Sequence, residues 1–149
     1  MIEQEYFTFA KAFQAEHREL GSLLQRLRRA LGNGRPWSAS AARDASRAIE
    51  ELQTHLRHHF AQEEEGGYLE QALVAAPRFS GQATELLQQH PVMVAQVAEA
   101  VRTARRATSD STAWPVLKEQ VKKLLGSLVA HEKAENAIVQ QAFNTGVES

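Results

Sequence analysis

Two residue pairs in this chain have a spacing that lets them act together: His59 with Glu63 and His131 with Glu135. A step of four residues turns an α-helix through about 400°, so both members of each pair leave the same face. Imidazole nitrogens and carboxylate oxygens are donors suited to transition-metal ions. Two further histidines interrupt apolar stripes: His17 lies between Phe13 and Leu20, and His90 between Leu87 and Val94. A carboxylate buried without a partner costs several kcal/mol or is neutralised by a pKa shift. Two such carboxylates beside four imidazoles call for a compensating cation, and a divalent or trivalent metal supplies it directly. One histidine on an apolar stripe is ordinarily a hydrogen-bonded core residue, and one His-x3-Glu pair arises often by chance. Four histidines on four segments with two paired glutamates make a metal site. His55, one turn before His59, could be a further ligand, a residue that holds a ligand, or a residue lining an approach. His58 falls off the stripe and is expected in solvent, with Glu64 and Glu65 on a solvated acidic face.

The segments carrying these residues are separated by three breaks: Gly32-Asn33-Gly34-Arg35-Pro36, the stretch 75–81, and Thr108-Ser109-Asp110-Ser111-Thr112. Each break holds residues that stop helices or favour turns and caps. Between them the chain is rich in Ala, Leu, Gln, Glu and Arg, and no stretch alternates with period two, so no strands are expected. The first helix is expected over about 3–31, with Phe9, Phe13, Leu20, Leu24, Leu27 and Leu31 on one stripe. The second starts near Ser38 or Ser40 and carries Ala45, Ala48, Ile49, Leu52 and Leu56 before His59 and Glu63. Gly66-Gly67 loosens or ends it, and a further helical piece follows over 68–76. The third starts near Ser80 or Gly81 and carries Leu86, Leu87, Val94, Val97 and Val101. The fourth starts near Ala113, with Pro115 suited to its first turn, and carries Leu117, Val121, Leu124, Leu125, Leu128 and Ile138. Long amphipathic helices joined by short loops predict an all-α, antiparallel up-down-up-down four-helix bundle forming one domain over 1–149.

Depth along that bundle supports a shared site. His90 and His131 stand about 17 and 19 residues from the loop at 108–112, roughly 25–29 Å down their helices at about 1.5 Å per residue. Trp37 and Trp114 sit at two helix starts and are expected to close that end hydrophobically. The arginine groups Arg26/Arg28/Arg29 and Arg102/Arg105/Arg106 fit solvated faces in late helical turns.

Composition narrows the chemistry. With no cysteine, thiolate metal sites, iron–sulfur clusters, disulfides and thiol nucleophiles are excluded. Lys+Arg is 17 against Asp+Glu 18, a formal net charge of -1, which gives no reason to expect nucleic acid or an anionic membrane as partner. No apolar run approaches the roughly 20 residues of a membrane span. The acidic N-terminus lacks a signal-peptide profile, and a cytoplasmic protein is expected.

The set His17-Arg18-Glu19-Leu20, His59-Phe60-Ala61-Gln62-Glu63-Glu64, His90-Pro91-Val92-Met93 and His131-Glu132-Lys133-Ala134-Glu135 resembles the hemerythrin-like, or HHE cation-binding, domain over about 9–143. The resemblance implies a di-iron site with His17, His59, His90 and His131 as terminal ligands and Glu63 and Glu135 as bridges. Hemerythrins proper place a second histidine one turn from the first on the third helix. Leu86 and Val94 stand there in this chain. They also use a longer spacing to an aspartate on the fourth helix, where this chain has His131-x3-Glu135. Both departures point away from the oxygen carriers and toward the broader family. A vacant metal position, or one filled by His55, water or an exogenous ligand, follows.

Iron is favoured by the resemblance, while zinc or manganese suits the same nitrogen and oxygen donors. An apolar wall of Phe13, Leu24, Leu56, Val94 and Leu128 would restrict water and admit small gases. The leading expectation is a metal-binding protein that binds, senses or handles O2, NO, peroxide or iron. A di-iron enzyme acting on peroxide or NO is the second reading, and a metal-free helical interaction module is the third. The oligomeric state is open.

Overall fold

The computed structural model describes the backbone over 2–32, 34–65 and 68–148, and side chains over 17–32, 34–65, 70 and 72–142. Helix α1 (Ile2–Leu31) is followed by α2 (Ala39–Glu64), a short α3 (Tyr68–Ala75), a 3-10 turn (Pro77–Phe79), α4 (Ser80–Ala107) and α5 (Ala113–Glu148). The third and fourth long helices expected from the sequence are α4 and α5. No strand occurs among the described residues. Helix α1 packs on α2, α2 on α4, α4 on α5 and α5 on α1, which closes a four-helix bundle, and α3 lies against α5. No helix among the described residues is long and apolar enough to cross a membrane.

Local chemistry explains the boundaries. Gly32 and Gly34 take positive φ values of 23° and 74° in the first break, where a side chain would be disfavoured. Ser38 is the N-cap of α2, and its Oγ accepts from Ala41 N at 2.9 Å. At the third break Asp110 Oδ1 accepts from Thr112 N at 3.0 Å, turning the chain from α4 into α5. The expected loosening at Gly66-Gly67, and the side chains of Phe9 and Phe13, lie outside the described residues.

The bundle core is divided in two. The larger apolar cluster joins Leu20, Leu24, Leu27 and Leu31 of α1 to Ile49, Leu52 and Leu56 of α2, Met93, Val97 and Val101 of α4, and Leu117 to Leu128 of α5. A smaller cluster joins Ala72, Phe79 and Leu86 to Ile138, Val139 and Ala142 of α5. Along α4 the order is small cluster, His90, large cluster. Along α5 it is large cluster, His131 to Glu135, small cluster. The polar residues therefore form one stratum between two apolar ones. On α4 the buried member of the large cluster next to His90 is Met93, while Val94 is half-buried at its flank. Around the helix axis Met93 lies about 60° to one side of His90 and Val94 about 40° to the other, and the side shared by Met93 and Val97 is the buried one.

Both tryptophans stand at the end away from the polar stratum, but only Trp114 is buried there, and Trp37 lies exposed at its rim. Trp37 Nε1 donates to the Ala107 carbonyl at 2.7 Å, and Trp114 Nε1 donates to the Arg35 carbonyl at 3.1 Å. Lys118 Nζ donates to the same Arg35 carbonyl at 2.9 Å. These bonds tie the α1–α2 loop to the α4–α5 end and so fix helix register. The arginine groups are exposed, with Arg26 on Glu51 at 2.5 Å and Arg105 on Glu50 at 2.9 Å.

Leu124 is fully buried in the large cluster. Leu124→Ala is expected to lower unfolding free energy by about 2–5 kcal/mol, and Ser38→Ala by about 1 kcal/mol. Urea denaturation followed by helical circular dichroism measures both.

Candidate metal centre

Each long helix delivers donors to the same depth. His17 comes from α1, His59 and Glu63 from α2, His90 from α4, and His131, Glu132 and Glu135 from α5. Their ligand atoms fall into three overlapping groups, within each of which every atom lies within 4.8 Å of the others. The first is His17, His59, Glu132 and Glu135. The second is Glu63, His90 and His131. The third is Glu63, His131, Glu132 and Glu135. The imidazole rings of His17 and His59 stand 5.8 Å apart, and those of His90 and His131 5.1 Å apart. The depth match inferred from the 108–112 loop thus holds in the structure, and His17 joins at the same level.

Two of the carboxylates face both ways. Glu63 sets Oε1 at 2.6 Å from His59 Nε2 and Oε2 at 2.8 Å from His90 Nε2. Glu135 sets Oε1 at 3.8 Å from His59 Nε2 and Oε2 at 3.3 Å from His131 Nε2. Each therefore turns one oxygen toward the His17/His59 side and the other toward the His90/His131 side. Glu63 and Glu135 are fully buried, and His59, His90 and His131 are 2 % exposed or less. Both oxygens of Glu63, Glu132 and Glu135, with Nε2 of His90 and His131, are buried and face one another at ion-pair distance without well-formed hydrogen-bond geometry. Buried polar atoms are otherwise nearly always satisfied. A concentration of unsatisfied donors, aimed at common points, is the set a cation completes.

The far nitrogens of two rings are held at the edge of the bundle. His90 Nδ1 lies 3.0 Å from Glu64 Oε1, and His131 Nδ1 lies 2.8 Å from Gln89 Oε1. Donation from Nδ1 to these acceptors leaves each Nε2 lone pair facing inward, the tautomer a metal needs. Glu64 is on the solvated face as expected, at 51 % exposure, yet its carboxylate also orients His90. Phe60 forms a wall: its ring stacks on His90 at 3.9 Å and meets His131 edge-on at 5.7 Å. Leu24, Leu56 and Leu128 are buried in the large apolar cluster, and Val94 is half-buried against it.

His55 is half-buried and stacks on His59 with ring centroids 6.1 Å apart, outside the three groups of ligand atoms found among the described residues. It borders a surface concavity shared with Glu19, Thr54 and the exposed His58. Glu132 and Phe60 are the site residues that stripe reasoning missed. The His131/Glu135 pair drew attention to a four-residue step, but Leu128, His131, Glu132 and Glu135 also form the i, i+3, i+4, i+7 face of a bundle helix. That wider face would have included Glu132.

The hemerythrin HHE cation binding domain family matches residues 8–143. The chain belongs to this family. No curated protein and no solved structure gives a match in comparison with this chain. An HHE domain binds metal cations, and the buried imidazole–carboxylate cluster here is a set of residues able to hold one.

The electrostatics of the metal-free HHE domain follow from crowding. Burial works against charge on His59, but the Glu132 and Glu63 carboxylates override it and push its pKa up to about 12. Burial is likewise overridden at His131, which Glu135 and Glu63 raise to about 9. Burial would raise Glu63 and Glu132, but the neighbouring imidazoles hold both well below the usual carboxylate range. At Glu135 burial prevails, reinforced by the nearby Glu63 and Glu132 carboxylates, and its pKa rises to about 8.

These directions set a pH window for the metal-free protein. The Glu63 and Glu132 contributions are fully present above the ordinary glutamate value and are lost as pH falls below it toward their depressed values. The His131 contribution is complete below about 6.5 and is lost as pH rises toward about 9. Keeping Glu135 protonated costs stability increasingly as pH rises from about 4.5 toward about 8. Metal-free protein should therefore melt highest near pH 5–6.5 and lose stability on either side. Metal-free Glu135→Gln should melt roughly 3–8 °C above the unsubstituted protein at pH 8, the shift that about 1–2 kcal/mol produces. Differential scanning calorimetry in chelator across pH 4–10 measures this, and a variant that melts lower at pH 8 contradicts it.

Proposed function

We propose that this HHE domain holds two iron ions and uses them to bind, sense or handle a small oxidant or gas such as O2, NO or peroxide. The carrying observation is the pair of buried carboxylates, Glu63 and Glu135, each turning its two oxygens toward different histidine pairs. One cation would use such carboxylates from one side, whereas two cations use both oxygens. In this reading His17 and His59 would hold one ion and His90 and His131 the other, with Glu63 and Glu135 each able to offer one oxygen to either side. Family membership favours iron, and the donor set also suits zinc or manganese. Iron would supply redox chemistry and affinity for diatomic ligands. The protein's own residues orient the imidazoles, neutralise the metal charge and exclude water through Phe60, Leu56 and Leu128. His55, stacked behind His59, keeps the role of orienting that ring rather than binding metal in this scheme.

Anaerobic addition of ferrous iron to chelator-treated protein, followed by desalting and elemental analysis, tests the proposal. About two irons per chain are expected, with a rise in melting temperature because metal binds the folded state. Glu63→Ala and Glu135→Ala should lose iron, and His58→Ala should retain it. A protein that keeps no iron, or three variants that behave alike, would reject the site. Optical titration with NO, O2 and peroxide then reads ligand binding, and sustained turnover of peroxide or NO would favour an enzyme over a binding protein.

A further inference from the structure

The two halves of the cluster are not equivalent, and the difference comes from Glu132. Its Oε2 contacts His17 Nε2, and its Oε1 lies 3.5 Å from His59 Nε2. The Glu132 side chain is 12 % exposed, and both its oxygens are buried against these two imidazoles. On the His17/His59 side the chain offers two imidazoles, a Glu132 carboxylate and one oxygen each from Glu63 and Glu135. On the His90/His131 side it offers two imidazoles and the other oxygens of Glu63 and Glu135. Glu132 also lies within reach of the Glu63, His131 and Glu135 donors, but its direct contacts, to His17 and His59, put its charge closest to one side. On the opposite side Leu86 and Val94 flank His90 one turn away in each direction, so α4 brings no further donor there.

We infer that Glu132 is a terminal metal ligand on the His17/His59 side, making the two metal positions chemically distinct and leaving the His90/His131 position as the one open to an exogenous ligand. The inference rests on the two-metal reading above. The richer side has five protein donors and one more carboxylate, so it fills first. The poorer side has four and is faced by the stacked ring of Phe60. A small ligand entering there would meet the Phe60 ring and an ion with fewer protein donors than its neighbour. Glu132 lies on the α1-facing flank of α5, and its reach to His17 makes the α1 ligand part of the tighter position. The competing account makes Glu132 a salt-bridge partner that holds His17 and His59 without touching metal.

The experiment is anaerobic titration of the full chain with ferrous iron enriched in a Mössbauer-active isotope, read by Mössbauer spectroscopy and by competition with a chelator of known affinity. The unsubstituted protein should bind two irons in separable steps and give two quadrupole doublets of equal area. Azide added to the loaded protein should shift one doublet and leave the other unchanged. In Glu132→Gln, which keeps side-chain volume, the tighter step should weaken by at least about tenfold. The doublet that azide leaves unchanged in the parent should move toward the other. Glu132→Asp, with the carboxylate withdrawn by one methylene, should fall between them. Two irons in a single doublet in the unsubstituted protein would overturn the inference while leaving the two-metal reading intact. So would a Glu132→Gln protein with both steps and both doublets unaltered, or azide shifting both doublets equally. Failure of the unsubstituted protein to bind iron would instead remove the reading beneath it, and the inference with it.

Discussion

Two buried carboxylates and three buried imidazoles, with the half-buried His17 and Glu132 beside them, occupy one stratum of the bundle with apolar clusters above and below. In such surroundings an unbalanced charge is far more costly than at the surface, because the low local dielectric weakens screening and strengthens every attraction and repulsion. The metal-free protein can spread protons over the cluster, but it does so by driving His59 and His131 upward and leaving Glu135 reluctant to ionise. Protons are a partial remedy: each sits on one atom and cannot satisfy several lone pairs at once. A multivalent cation can, and the unsatisfied oxygens of Glu63, Glu132 and Glu135 converge as such an ion requires.

That demand explains how the rest of the molecule is arranged. The donors stand on four helices rather than on loops, and helices hold their side chains in place over long distances. Agreement in depth requires each helix to keep its register relative to the others. The tryptophan and lysine bonds at the far end provide it by clamping the Arg35 carbonyl and the Ala107 carbonyl to neighbouring helices. The large apolar cluster then transmits that register to the polar stratum, because close-packed side chains resist sliding. At the boundary with solvent, Glu64 and Gln89 complete the arrangement by taking the outward nitrogens of His90 and His131. The same surface residues that look like ordinary solvated polar groups therefore decide which lone pairs face inward.

The sequence alone was sufficient for much of this. Breaks at 32–36 and 108–112 bounded the helices, because glycine at positive φ and the Asp110 turn act locally. The stripe positions of His59, Glu63, His90, His131 and Glu135 were legible because helical periodicity is a property of each segment by itself. The family motifs and the absence of cysteine limited the donors to nitrogen and oxygen. Less was legible where neighbouring faces broaden. Met93 rather than Val94 entered the core, and Phe60 became a wall of the site, because a helix packed against two others buries more than one narrow stripe.

Only tertiary structure decided how the donors are shared. No spacing within α2 could say that Glu63 would offer one oxygen to His59 and the other to His90, since that depends on where α4 lies. No spacing within α5 could show that Glu132 would turn toward His17, a residue more than a hundred positions earlier in the chain. His55 stacks on His59 and lies outside the groups of converging donor atoms found among the described residues. Helical periodicity gives each side chain a direction about its own axis; which donors meet, and from which side, depends on the rotation and depth of four axes together, and those are set by long-range packing.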